Sequence, residues 1–221
     1  MIKVQITGID ATMKHLAKVQ KQARYAAAVA LTRTAHEVRK AEEKEVDKVF
    51  DKPTAFTRRA FQVTAAKKEN LTAVVAIRPR QAEYLLPQII GGGRKPTRKE
   101  SRFTSATNAP GEFWIPGPGI KLNISGNIPL ATVKALAANL NKTGRYGRVF
   151  FGQPRPGMAF GIYGHTKLGR RKGKLIPLLL QAKAPNYRKR FAFHEVGDRL
   201  APAEFDRQFA RAFAQAMSTA R

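Results

Sequence analysis

The chain contains no cysteine, which excludes disulfide bonds and every metal site built on thiolate ligands. It also lacks a long apolar run. Its most apolar segment, residues 175–180, is far shorter than the roughly 18 residues that a membrane span requires. The first 15 residues lack the charged start and apolar run of a signal peptide. We therefore expect a protein of a reducing compartment, or of a particle assembled in one, without a membrane span.

Acidic residues are scarce. The sequence has 15 Asp and Glu against 41 Lys and Arg, a formal net charge of +26. The stretch 113–194 contains no acidic residue but 15 basic ones. Such a charge repels itself in a compact monomer and favours an anionic partner. Charge alone does not choose between nucleic acid, a membrane surface and an acidic protein.

The scarcity of carboxylates also bears on catalysis. A general acid–base pair or a Mg²⁺ site needs acids that the predicted sheet and loops lack. The triple glycine at 91–93 lacks the setting of a phosphate-binding loop. We expect no enzyme activity, no metal and no cofactor. The positions of the histidines also argue against a metal site, because the four residues fall in four different predicted elements without metal-ligand spacing: His15, His36, His165 and His194.

Two long helices are predicted, one near each end of the chain. Residues 10–50 carry apolar or small side chains at spacings of three and four, the helical period, and Pro53 ends this helix. Residues 193–221 form the second helix, with a possible break at Pro202. Its phenylalanines at four-residue spacing are interpreted as core: Phe205, Phe209 and Phe213.

Segments rich in β-branched and alternating residues predict strands at 2–6, 61–65, 71–77, 149–152, 159–163 and 175–181. We therefore expect an α+β fold in which a long N-terminal helix and a C-terminal helix pack on an antiparallel β-sheet. Residues 1–82 and 146–221 are assigned to this core domain. Residues 83–145 contain many glycines and prolines and are interpreted as an inserted, extended loop region with one short helix at 130–140.

Basic residues form three clusters that are candidates for contact with DNA or a partner. Solvated loops are the alternative interpretation, but anion contact is favoured because the acids that normally intersperse such a surface are missing. Contacts of this kind go to phosphates and are independent of base sequence. The clusters are Arg94, Lys95, Arg98, Lys99 and Arg102; Lys167, Arg170, Arg171, Lys172 and Lys174; and Arg188, Lys189 and Arg190.

Three large apolar residues, Phe113, Trp114 and Ile115, lie within the segment richest in glycine and proline. A tryptophan on such a segment needs a pocket, either in its own chain or in a neighbouring subunit. These three residues are therefore candidates for a subunit interface.

Several segments, taken in order, resemble the minor tail protein Z family of tailed bacteriophages. The first is 49–57, with the sequence VFDKPTAFT, after the alanine-rich helix. The others are YLLPQIIGG at 84–92, GEFWIPG at 111–117, LNISGN at 122–127 and YRKRFAF at 187–193. The resemblance covers nearly the whole chain.

The resemblance implies a structural, non-enzymatic tail-completion or neck protein of the virion, assembled in the bacterial host cytoplasm. It implies a ring of six or twelve copies around the DNA channel at the head–tail junction. Its partners would be neck, portal, adaptor or tail-tube proteins, with possible non-specific contact with genomic DNA and no membrane. The residues alone leave an alternative open, a non-specific nucleic-acid-binding protein.

Overall fold

The computed structural model describes residues 9–144, 147–165 and 173–219. The chain divides into two compact units. The first unit comprises the residues up to Ala82 together with those from Arg190 onward, and the second unit is Glu83–Lys189. The predicted strand at 2–6 lies outside the described residues.

The described helices are α1 (Ile9–Val49), α2 (Ala55–Arg58), α3 (Pro79–Ile90), α4 (Arg98–Thr107), α5 (Leu130–Ala138) and α6 (Phe193–Ser218). The described strands are β1 (Phe61–Thr64), β2 (Val74–Ile77), β3 (Gly92–Gly93), β4 (Phe113–Pro116), β5 (Thr143–Gly144), β6 (Gly147–Arg148), β7 (Phe150–Gly152), β8 (Gly161–His165), β9 (Leu175–Ala182) and β10 (Asn186–Tyr187).

The first unit is built on α1 and α6, which pack along each other. Glu42 interacts with Glu195, whereas Glu37 interacts with Arg207, so the two helices run in opposite directions. Small side chains let their backbones approach closely, and the most buried of these are Ala26, Ala30, Ala212 and Ala216. Helix α6 continues through Pro202 without a break.

An antiparallel hairpin, β1–β2, packs against α1 and pairs Phe61 with Ile77. Phe61 is fully buried beside the rings of Phe191 and Phe193, whose centroids lie 6.1 and 5.8 Å from its own. The Thr32 hydroxyl of α1 accepts a 3.1 Å hydrogen bond from the backbone N–H of Ala66 in the loop after β1. An aromatic cluster and a polar tie thus hold the hairpin on the helix.

The buried face of α1 contains one carboxyl group, that of Glu42. Its side chain is inaccessible to solvent, and neither carboxylate oxygen has a hydrogen-bond partner among the described residues. Burial, followed by the nearby charges of Glu45 and Glu195, raises the pKa of Glu42 to about 8. The protein therefore holds this carboxyl largely protonated near neutral pH.

The second unit contains a four-stranded antiparallel sheet with strand order β4-β9-β8-β7. Its core lies between this sheet and helices α4 and α5, around the rings of Phe103 and Trp114 and the side chains of Val133 and Leu136. Strand β4 is an edge strand, which is why it tolerates Pro116. A Cβ atom at Gly117 would collide with the carbonyl oxygen of Pro177, so the chain needs glycine where it leaves β4.

The predicted α+β class is confirmed, with a long helix near each end of the chain and antiparallel sheets. The arrangement differs in one respect. Helix α1 packs on the small β1–β2 hairpin, α6 packs along α1, and the larger sheet belongs to the second unit. The structure divides the chain at 82/83 and at 189/190, whereas the division from the sequence falls at 82/83 and at 145/146.

The region predicted as loops with one short helix is more ordered than expected. It contains helix α4 as well as α5, and its glycine- and proline-rich part supplies strand β4 to the sheet. Helix α4 begins at a capping box: the Thr97 hydroxyl accepts from the Glu100 N–H, and the Glu100 carboxylate accepts from the Thr97 N–H. The interpretation of 83–145 as an extended excursion is therefore wrong.

Candidate functional site

Arg94, the first residue of the predicted basic clusters, is committed to contacts inside the second unit. Its guanidinium group donates to both carboxylate oxygens of Glu100, at 2.7 and 2.8 Å, and its Nε donates to the Tyr187 hydroxyl at 3.0 Å. It also lies 5.2 Å from the centroid of the Phe113 ring. Arg94 thus has little capacity left for an external anion.

The carboxylate of Glu100 is the centre of this arrangement. It accepts from Arg94, from the N–H of Thr97 and, at 3.4 Å, from the N–H of Trp114. Burial opposes its ionisation, but the hydrogen bonds from Arg94 and Thr97 outweigh burial and hold the pKa of Glu100 below its usual range. The hydrogen bond to Glu100, followed by the one to Tyr187, raises the pKa of Arg94 although burial opposes this shift. The pair therefore ties α4 to β4 as a fixed charge pair.

The remaining cations of this cluster lie on the outside of α4 and just before it. Lys95, Arg98, Lys99 and Arg102 are all exposed. The ammonium group of Lys99 donates to the carbonyl of Ile128 at 3.0 Å. The spacing of Arg98 and Arg102 places both on one face of the helix. These residues form a basic helical surface, which we call the α4 basic face.

Part of a second basic cluster follows strand β10 of the second unit. Strands β3 and β10 pair, with Tyr187 opposite Gly92, and Arg188 and Lys189 follow β10 directly. Both side chains are exposed. Because the two strands are antiparallel, Arg188 and Lys189 run alongside Gly91, at the end of β3 that is farther from α4.

The remaining candidate cations have other surroundings or lie outside the described residues. Arg190 belongs to the first unit, where its guanidinium group lies 4.8 Å from the centroid of the Phe50 ring. Lys174 is exposed at the start of β9. Four further candidates lie outside the described residues, so their prediction stays untested: Lys167, Arg170, Arg171 and Lys172.

The three apolar interface candidates have different surroundings. Trp114 is only 7% exposed, and its indole N–H donates to the Thr104 hydroxyl at 3.1 Å, so its pocket lies in its own chain. Phe113 is half-buried beneath Arg94. Ile115 is 50% exposed on the edge strand and is the member of the three that a partner can reach.

Sequence analysis missed a second exposed apolar residue, Ile124, which is 91% exposed. It lies in a short loop fixed by Asn123, whose side-chain oxygen accepts from the N–H groups of Ser125 and Asn127 at 3.0 and 2.9 Å. The available signal was the Asn-x-Ser-Gly-Asn sequence, because an asparagine at this position closes a turn on its own backbone. The loop presents an isoleucine in a fixed backbone setting.

In the described part of the chain, no group of three or more His, Asp or Glu residues has the geometry to hold a metal ion. None of the described helices is both long and apolar enough to cross a bilayer. Comparisons with protein-family models, with curated proteins and with solved structures found no match.

Proposed function

We propose that this chain is a structural subunit of the neck of a tailed bacteriophage, which completes the tail and forms a ring around the DNA channel at the head–tail junction. The observation that carries the proposal is the ordered set of segments, from 49–57 to 187–193, that resembles the minor tail protein Z family. This role is an assembly function and requires no catalytic group.

The exposure of helix α1 is consistent with assembly. The helix has 41 residues, about 60 Å at 1.5 Å per residue, and no residue between 16 and 25 is buried. Leu16 is 57% exposed and Tyr25 is 43% exposed. The first part of this helix therefore extends beyond the core that it helps to form, and it offers apolar side chains to a neighbour.

The second unit offers two further surfaces of the kind that assembly requires. Ile115 and Ile124 are apolar contacts available to a neighbouring subunit. The α4 basic face supplies positive charge toward DNA or toward an acidic neck protein. Both surfaces are built on ordered elements, so a partner would bind them without first ordering the backbone.

Deleting the coding sequence from a phage genome that carries it tests the proposal. We expect filled heads and tails to accumulate separately and a plasmid copy to restore joining. A variant with Arg98→Glu and Arg102→Glu should fold normally but restore joining poorly. Normal joined particles from the deletion strain would contradict the proposal.

One observation favours a second function, non-specific nucleic-acid binding: the second unit exposes the α4 basic face as well as Arg188 and Lys189. Duplex binding by the purified chain across salt concentrations separates the two functions. Tight binding with a steep salt dependence favours the nucleic-acid-binding function, because each phosphate contact releases counterions. Negligible binding at about 0.15 M salt favours the neck subunit.

A further inference from the structure

A cleft of about 690 Å³ opens in the first unit, between α2, the start of β1 and the start of α3. The side chains that give it its chemistry are Phe56, Arg59, Gln62, Arg78, Arg80 and Gln81. No carboxylate lines it. Neither the sequence clusters nor the proposed function includes these arginines.

The three arginines of this cleft, Arg59, Arg78 and Arg80, are exposed, and no described carboxylate forms an ion pair with any of them. The adjacent Arg58 differs, since its Nε donates to Asp47 at 2.7 Å. Three guanidinium groups around one cleft repel each other, and an anion that accepts from their planar forks relieves that repulsion.

The α2 side of the cleft has a fixed backbone. Helix α2 is capped by the Thr54 hydroxyl, which accepts from the N–H of Thr57 at 3.2 Å. The N–H of Arg59 donates to the carbonyl of Ala55 at 3.1 Å. This turn holds both Phe56 and Arg59 at the rim of the cleft.

The opposite side is fixed by the hairpin and by α3. The N–H of Arg78 donates to the carbonyl of Ala60 at 2.8 Å, which extends the β1–β2 ladder by one bond. Gln81 is 4% exposed, and its amide donates to the carbonyl of Phe56 at 3.1 Å. That bond joins the start of α3 to α2. Arg78 and Arg80 are therefore held opposite Phe56 and Arg59 before any ligand arrives.

An apolar ring accompanies the charges. Phe56 is 50% exposed and has no aromatic neighbour among the described residues. A carboxylate-rich protein segment would use the arginines but gains little from a bare ring. A nucleotide uses both, because its phosphate accepts from arginines and its base stacks on an aromatic face.

We infer that this cleft binds a nucleotide unit, with phosphate oxygens on Arg59, Arg78 and Arg80 and the base against the ring of Phe56. The unit belongs either to single-stranded nucleic acid or to a free nucleotide, which present the same chemistry. The inference does not rest on the proposed function, because the cations discussed there belong to the second unit, whereas this cleft belongs to the first.

The test uses the full chain and fluorescence anisotropy with a short fluorescein-labelled oligothymidine, with ATP, inorganic phosphate and polyglutamate as competitors. One variant changes all three arginines to lysine, which keeps the charge and removes the fork, and a second variant is Phe56→Leu. The matched control changes three exposed arginines of the same unit outside the cleft to lysine, Arg33, Arg199 and Arg211. Thermal unfolding establishes that each variant is folded.

We expect each cleft variant to weaken oligothymidine binding about tenfold, and the control to change it by less than about twofold. Competition by ATP with the same dependence on the variants assigns the site to free nucleotides. Failure of ATP to compete assigns it to a strand. The inference is overturned if no probe binds, if the cleft variants match the control, or if polyglutamate competes fully and Phe56→Leu has no effect. The last result would identify an acidic protein partner.

Discussion

At the scale of single residues, two carboxyl groups in buried positions behave in opposite ways. Glu100 accepts hydrogen bonds from Arg94 and Thr97 and remains ionised, whereas Glu42 has no described hydrogen-bond partner and a pKa raised to about 8. The difference lies in the neighbours: a guanidinium fork in one case, and burial with two further carboxylates in the other.

Glu42 makes stability depend on pH. The pKa of Glu42 in the folded protein lies above that of an unfolded chain, so the folded state binds the proton more tightly. The contribution of Glu42 to the free energy of unfolding is therefore most favourable below about pH 4, where both states are protonated. This contribution falls as pH rises toward about 8 and then levels off. We expect Glu42→Leu to remove this slope and to raise the free energy of unfolding by roughly 1–3 kcal/mol at high pH.

Urea denaturation at several pH values measures this effect. Glu37→Gln is the control, because Glu37 pairs with Lys40 at 2.7 Å, is better solvated and is not one of the charges that raise the pKa of Glu42. A parent protein whose stability does not fall between about pH 5 and 8 relative to Glu42→Leu would show that Glu42 is not held protonated.

A comparison of Arg94 with Arg98 distinguishes an arginine that stabilises the fold from one that is available for binding. Its side chain is 16% exposed and pairs with Glu100, so Arg94→Ala leaves a buried carboxylate without its guanidinium partner. We expect a loss of roughly 3–5 kcal/mol in the free energy of unfolding. Arg98→Ala on the exposed face should change it by less than about 0.5 kcal/mol. Equal urea midpoints for the two variants would refute the structural assignment of Arg94.

At the scale of elements, helix α6 does not bury the face that its sequence emphasises. The rings of Phe205, Phe209 and Phe213 stack at 5.8 Å but remain half-buried. The row beside them is buried instead, and it is polar or small: Glu204, Gln208, Ala212 and Ala216. The interpretation of the phenylalanines as core is therefore only partly correct. The small residues on α1 allow a close approach only to a helix face that also carries compact side chains. The phenylalanine rings of α6 are too bulky for such a face.

This difference changes what a phenylalanine deletion should cost. We expect Phe209→Ala to lower the free energy of unfolding by about 1–2 kcal/mol, because half of the ring's burial is absent. Phe191→Ala, at a fully buried ring, should lower it by about 3–5 kcal/mol. Thermal unfolding compares the two variants. A cost for Phe209→Ala equal to that for Phe191→Ala would place the stripe in the core.

Helix α4 has a helix-start signal in its sequence, but its composition and periodicity favour a loop and outweigh that signal. Its sequence, RKESRFTSAT, is polar, rich in serine and threonine, and follows a glycine run, so periodicity and composition favour a loop. The decisive signal is Thr97 followed by Glu100, a capping box. We expect Thr97→Ala to destabilise the protein by about 1 kcal/mol. Ser105→Ala, on the exposed side, is the control, and equal unfolding curves for the two would contradict the cap.

Strand β4 shows what local patterns cannot reveal. Residues 113–116 pair with residues 179–182, more than sixty positions along the chain. The predicted strands at 149–152, 159–163 and 175–181 correspond to β7, β8 and β9, but the sequence does not indicate that an earlier segment joins them. That long-range pairing moves the sheet into the second unit, and it explains why the predicted boundary at 145/146 differs from the observed one at 189/190.

At the scale of the whole molecule, the sequence predicts the class of the fold and the excess of positive charge. It does not distinguish cations used internally from cations available to a partner. Arg94 and Arg98 are four residues apart and chemically alike, yet one is bound to Glu100 and the other faces solvent. The arginine cleft escaped sequence analysis for the same reason, since Arg59 and Arg78 become neighbours only when β1 and β2 pair.

The central claim is that this chain belongs to the neck of a phage particle. Gold-labelled antibody against the chain, applied to purified particles and imaged by electron microscopy, tests it most directly. The proposal predicts gold at the junction of head and tail on most labelled particles. Gold on the capsid shell or at the distal tip of the tail, or no association with particles, would contradict it.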